Sequence, residues 1–75
     1  MFNYIQNMQR DLPNDRVIRL VLLRNDWELS IKKTDNIFED GHCLVIEHKD
    51  GNRVIVNMDH ITFACTMAAG RRYYE

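Results

Sequence analysis

Seventy-five residues with a net charge of −1 make one domain, near the size at which a single hydrophobic core barely offsets chain entropy. Hydrophobic residues make up 45%, too many for a disordered chain, and seven of the eleven acids crowd into residues 25–50, which excludes a generally basic surface that binds nucleic acid without regard to sequence. The longest aliphatic run, residues 20–23, is far below the roughly 18 apolar residues of a membrane span, and the start lacks a basic-then-apolar signal pattern. A soluble, cytoplasmic protein without a membrane partner is expected.

Residues 3–12 read as a short helix, with Asn3 as the cap and Gln6 as the reciprocal member of a capping box. Phe2, Ile5, Met8 or Gln9, and Leu12 form one apolar stripe, and Pro13 ends the helix by turning Leu12 away from helical angles. So short a helix is unstable alone in water and must dock. Residues 16–23 form a first strand that is apolar on both faces except at Arg19, so it needs cover on both sides. Arg24, Asn25 and Asp26 supply a turn. Trp27, Leu29 and Ile31 then alternate with Glu28, Ser30 and Lys32 in a second strand, where Trp27 fills a core or subunit contact.

Residues 34–41 read as an acidic connection whose Ile37 and Phe38 fold back over the end of the sheet or meet a neighbour. Strands over 43–48 and 52–58 flank Asp50-Gly51, a hairpin signal because glycine takes the positive φ of a tight turn. Met58, Asp59 and His60 are few enough to make a one-turn helical corner before a last strand over 61–67. In that strand Ile61, Phe63, Cys65 and Met67 are expected on one apolar face, opposite Thr62, Ala64 and Thr66. Residues 68–75 lack alternation and form a tail, in which Arg71, Arg72 and Tyr73 pair the chemistry of phosphate contact with that of base stacking.

The order of helix, five strands, long loop between the second and third, and one-turn corner between the fourth and fifth resembles the Sm-like family, which includes Hfq-type proteins. Glu39-Asp40-Gly41-His42-Cys43-Leu44-Val45-Ile46 resembles the first Sm motif, and Val56-Asn57-Met58-Asp59-His60-Ile61 the second. The resemblance implies a mainly β fold: a short N-terminal helix followed by a five-stranded, strongly bent antiparallel Sm-like (SH3-like) small barrel over residues 16–67. It also implies a homo-oligomeric ring, hexamer or heptamer, joined by strand pairing through Val54, Val56, Ile61, Phe63 and Cys65. Single-stranded RNA would bind at His42, Asn57, Asp59 and His60, with Arg71, Arg72 and Tyr73 as an auxiliary strip. The sequence departs from the motifs at Cys43, where the family has Asn, and at Asn57 and Met58, where it has a cation and Gly, so the positive charge of the family's pore is missing.

His42, His48, His60, Cys43 and Asp59 hold metal-capable groups, but without Cys-x-x-Cys or His-x-x-x-His spacing, so no metal site is expected. Cys43 and Cys65 stand in strand patterns, where free cysteine packs as a small hydrophobe; a disulfide between them stays open. Without a phosphate loop or nucleophile elbow, the chain is expected to be neither an enzyme nor cofactor-dependent. An RNA-binding ring and a protein-interaction module on the same barrel are the two readings carried forward.

Overall fold

The computed structural model describes residues 1–23 and 28–69. Trp27 and the tail residues Arg71, Arg72 and Tyr73 lie outside the described residues. The described chain is mainly β, with one N-terminal helix and six strands in two antiparallel sheets. The helix α1 spans Phe2–Arg10, and the strands are β1 (Arg16–Leu22), β2 (Glu28–Lys32), β3 (Asn36–Asp40), β4 (Cys43–Glu47), β5 (Arg53–Asn57) and β6 (Ile61–Ala68). Sheet order is β2-β1-β6 in the first sheet and β3-β4-β5 in the second.

The stretch expected as a loop over 34–41 contains β3, which pairs with β4 from Asn36 opposite Glu47 to Asp40 opposite Cys43. Its sequence shows no strand signal of its own; the partner strand supplies the pairing. This raises the strand count to six. The two sheets do not close into a hydrogen-bonded barrel, because β5 and β6 each have one neighbour and do not pair with each other. Gly41 and His42 form a two-residue hairpin loop between β3 and β4, with Gly41 at φ 63°, a conformation that strains any residue carrying a Cβ. Gly51, at φ 94°, serves the β4–β5 turn as expected.

One core joins both sheets and the helix. Ile5 and Leu12 from the helical segment, Ile18, Leu20 and Ile31 from the first sheet, Leu44, Ile46 and Val56 from the second, and Ile61 pack together in it. The apolar stripe of α1 therefore docks as expected, with Phe2 and Met8 at its margin. Its cap differs: the N-cap is Met1, without a side-chain cap bond, so Asn3 lies inside the helix rather than at its start. The helix also ends at Arg10, with Asp11 as C-cap, two residues before the position that Pro13 suggests.

A register shift between Val21 and Leu22 alters the last strand. Val21 faces Phe63 and Leu22 faces Ile61, so Thr62 is the extra residue of a bulge. The bulge turns Ile61 into the core together with Ala64, while Phe63, Cys65 and Met67 share the outer face with Val21 and Val17. The expected single apolar face of β6 is thus divided between inside and outside.

Leu44 is fully buried where the second sheet meets the helix and the first sheet. Leu44→Ala is expected to lower unfolding free energy by about 2 to 5 kcal/mol, read from denaturant midpoints, because the cavity cannot collapse fully against two sheets. A loss under about 1 kcal/mol would show that the sheets do not share this core.

Candidate functional site: two ends of the sheet pair

The sheets are linked at two places on opposite ends. At one end residues 33–35 carry β2 into β3; at the other the 3₁₀ turn Met58–His60 carries β5 into β6. With β1 seven residues long, these ends lie about 20 Å apart. They differ in charge and chemistry.

The 3₁₀ end gathers four of the residues expected to bind RNA. Asn57 caps the turn, its Oδ1 accepting from Asp59 N at 2.9 Å, which leaves its Nδ2 as the donor that can face a ligand. Met58 N donates to the His42 carbonyl at 2.8 Å, tying the Gly41-His42 loop to the turn, and Leu23 N donates to the His60 carbonyl at 2.7 Å. The side chains of His42, Asp59 and His60 are exposed, and Asn57 is half-buried. Exposed Glu39 and Asp40 stand on the adjoining strand. Among the described residues this end holds carboxylates, imidazoles and an amide but no Lys or Arg. It can stack a ring on imidazole and bond a base edge through the amide, but it offers little to a phosphate.

The expected subunit contacts occupy different settings. Val56 and Ile61 are buried in the chain's own core, and Val54 packs against it. Phe63 is 49% exposed and Cys65 half-buried, both on the outer face of the edge strand β6. Ile55, 63% exposed on the edge strand β5, joins Phe38 and Val45 in one cross-strand row on the outer face of the second sheet. Both cysteines are free, and no group of three or more metal-capable side chains comes together among the described residues. No described helix is long and apolar enough to cross a membrane.

The opposite end holds a knot that sequence reasoning missed. Asp35 is a buried carboxylate. Its Oδ2 accepts from Lys32 N at 2.9 Å and lies 2.9 Å from His48 Nδ1, while its Oδ1 is buried without a partner. Gln9 reaches over from α1 and donates to the carbonyls of Lys32 and Asp35. Lys33 donates to the carbonyls of Arg10 and Leu12, satisfying backbone groups that the helix end leaves open. One short turn thereby fastens the helix, the first sheet and the β4–β5 hairpin. The only local signal was the polar Thr34-Asp35-Asn36 cluster between strand patterns; the partnership with His48, thirteen residues on, has no mark in the sequence.

No family model, curated protein or solved structure matches this chain.

Asp35→Ala would leave the Lys32 N–H and the His48 ring without their acceptor. A loss of about 2 to 4 kcal/mol in denaturant unfolding is expected, and less than half of that for Asp35→Asn, whose oxygen can still accept. Wild-type stability in the alanine variant would remove the knot from the account of the fold.

Proposed function

We propose that the protein is a non-catalytic, self-assembling Sm-like module whose ring of copies, six or seven on the family pattern, binds single-stranded RNA. The observation that carries the reading is the pair of open strand edges at β5 and β6, joined by the 3₁₀ turn and bearing the exposed apolar side chains Ile55 and Phe63. Unpaired backbone along an edge invites another strand, and neither exposed side chain is a charge that would block it. Strand addition between copies would satisfy both edges at once and bury apolar surface that a 75-residue core cannot reach.

His42, Asn57, Asp59 and His60 converge at the 3₁₀ end, where ring symmetry would repeat them around one axis. RNA would be held there by stacking on His42 and by hydrogen bonds from the Asn57 amide, so base contacts rather than phosphate contacts dominate at this end. A protein-interaction module without nucleic acid is the second reading. It is favoured by the carboxylates at the same end and by the exposed row of Phe38 and Ile55, which suits apolar or strand-addition partners.

Light scattering on the full chain is expected to give a mass several times 9.0 kDa, falling toward the monomer in an Ile55→Lys, Phe63→Lys double variant. A wild-type monomer at micromolar concentration would sink the assembly. In the assembled protein, His42→Ala is expected to weaken binding of oligouridine or oligoadenine by about tenfold, the scale of one lost base stack. Unchanged binding by that variant would remove His42 from the RNA site, and no binding by the wild type would leave the protein-interaction reading standing.

A further inference from the structure

A cavity of about 520 Å³ opens at the end opposite the 3₁₀ turn, where β1 begins and β2 ends. Three of its lining residues are cations: Arg16, Lys32 and Lys33. None is an acid. Of the carboxylates nearby, Asp35 is buried and turned to His48 and the Lys32 backbone, while Asp15, between Asn14 and Arg16, and Asp50 are exposed and outside the lining. Lys33 is fixed in place by its bonds to the helix-end carbonyls, which keeps one ammonium at the cavity wall. Arg16 and Lys32 are exposed and make no ion pair among the described residues, unlike Arg53, which pairs with Glu47, and Arg10, which sits near Asp11.

Asn14, Ser30 and Thr34 add neutral donors to the same wall. Val17 and Ala69 give it an apolar patch. The size falls within the range of small-molecule sites, and a concave, low-dielectric wall focuses the field of one sign of charge. On these grounds we propose that this cavity binds the phosphate group of a nucleotide, with Arg16 and Lys32 as the phosphate contacts and Lys33 as a fixed charge behind them. The site lies about 20 Å from His42 and stands independently of the RNA reading of the 3₁₀ end. Phosphate is the shared chemistry of a free nucleotide and of one nucleotide within a single strand. Arg16 supplies a planar fork for two phosphate oxygens and Lys32 a point charge.

The test is an amide chemical-shift titration of the full chain with adenosine 5′-monophosphate, inorganic phosphate, a short oligoadenylate and unphosphorylated adenosine. Saturable shifts centred on Val17, Ser30 and Thr34 are expected with the three phosphate-bearing probes and not with adenosine. An Arg16→Gln, Lys32→Gln double variant is expected to bind adenosine 5′-monophosphate at least about tenfold more weakly, as two charge-assisted contacts are lost. Both side chains are exposed, so its spectrum should otherwise match the wild type. Read at the Val17, Ser30 and Thr34 amides of a His42→Ala variant, tighter binding of the oligoadenylate than of the mononucleotide would identify the source as a strand, and the reverse a free nucleotide. Adenosine shifting the same amides equally, or a double variant that binds unchanged, or no shift at millimolar probe, would overturn the proposal. His42→Ala leaves the adenosine 5′-monophosphate and inorganic phosphate titrations unaltered, so failure here and failure of the RNA reading are read separately.

Discussion

One uninterrupted stretch, from β2 through residues 33–35 into β3, has to serve two sheets, and the fold depends on how it bends. The Asp35 carboxylate fixes that bend by accepting from the Lys32 backbone and meeting the His48 ring, while Gln9 closes over it from the helix. Burying a polar group is costly unless it is bonded, and both contacts of Oδ2 exist only with this turn, so the arrangement tolerates few alternatives. Because the turn is held, Ile31 on one side of it and Ile37 on the other both face the same core. Ile5 and Leu12 then cover that core from the helical segment.

Closing the core this way leaves the sheets unclosed elsewhere. The 3₁₀ turn carries the chain from the second sheet back to the first, yet β5 and β6 do not pair with each other, so among the described residues each is an outer strand of its sheet, as β2 and β3 also are. The bulge at Thr62 adds to this, since turning Ile61 inward sends Phe63 to the outer face. In a domain this small, association with a further strand is the direct physical remedy.

Much of this was legible in the residues. Alternation marked β2 through Leu29 and Ile31, the Asp50-Gly51 pair marked the second hairpin, and the shortness of 58–60 marked the 3₁₀ corner, because each of these signals is local. What escaped was set by distant partners. The segment Asn36–Asp40 has two adjacent apolar residues and no alternation, so only β4 makes it a strand. Phe63 left the core because a one-residue bulge reversed the side-chain phase, which strict period-two reading cannot see. At the candidate site, the sequence pointed to His42, Asn57, Asp59 and His60, and backbone bonds do bring their segments to one end. It marked His48 only as a metal-capable side chain and Asp35 only as one of several acids, and it missed their meeting, which depends on the two sheets already being in place.

The separation of chemistry between the two ends follows from the same bend. Residues 33–35 draw Lys32, Lys33 and the start of β1 together, so cations of low local contrast in the sequence become neighbours around one cavity. The 3₁₀ turn does the reverse, bringing Asp59 and the β3 end with Glu39 and Asp40 toward the exposed histidines. Among the described residues, a net charge near zero thus conceals one end that gathers cations and another that gathers carboxylates, imidazoles and an amide. Nucleic-acid recognition divides in the same way, with phosphates holding position and bases carrying identity. If copies assemble through β5 and β6, each copy would present both ends, and the many weak cationic cavities would act together through their effective concentration rather than through any single strong contact.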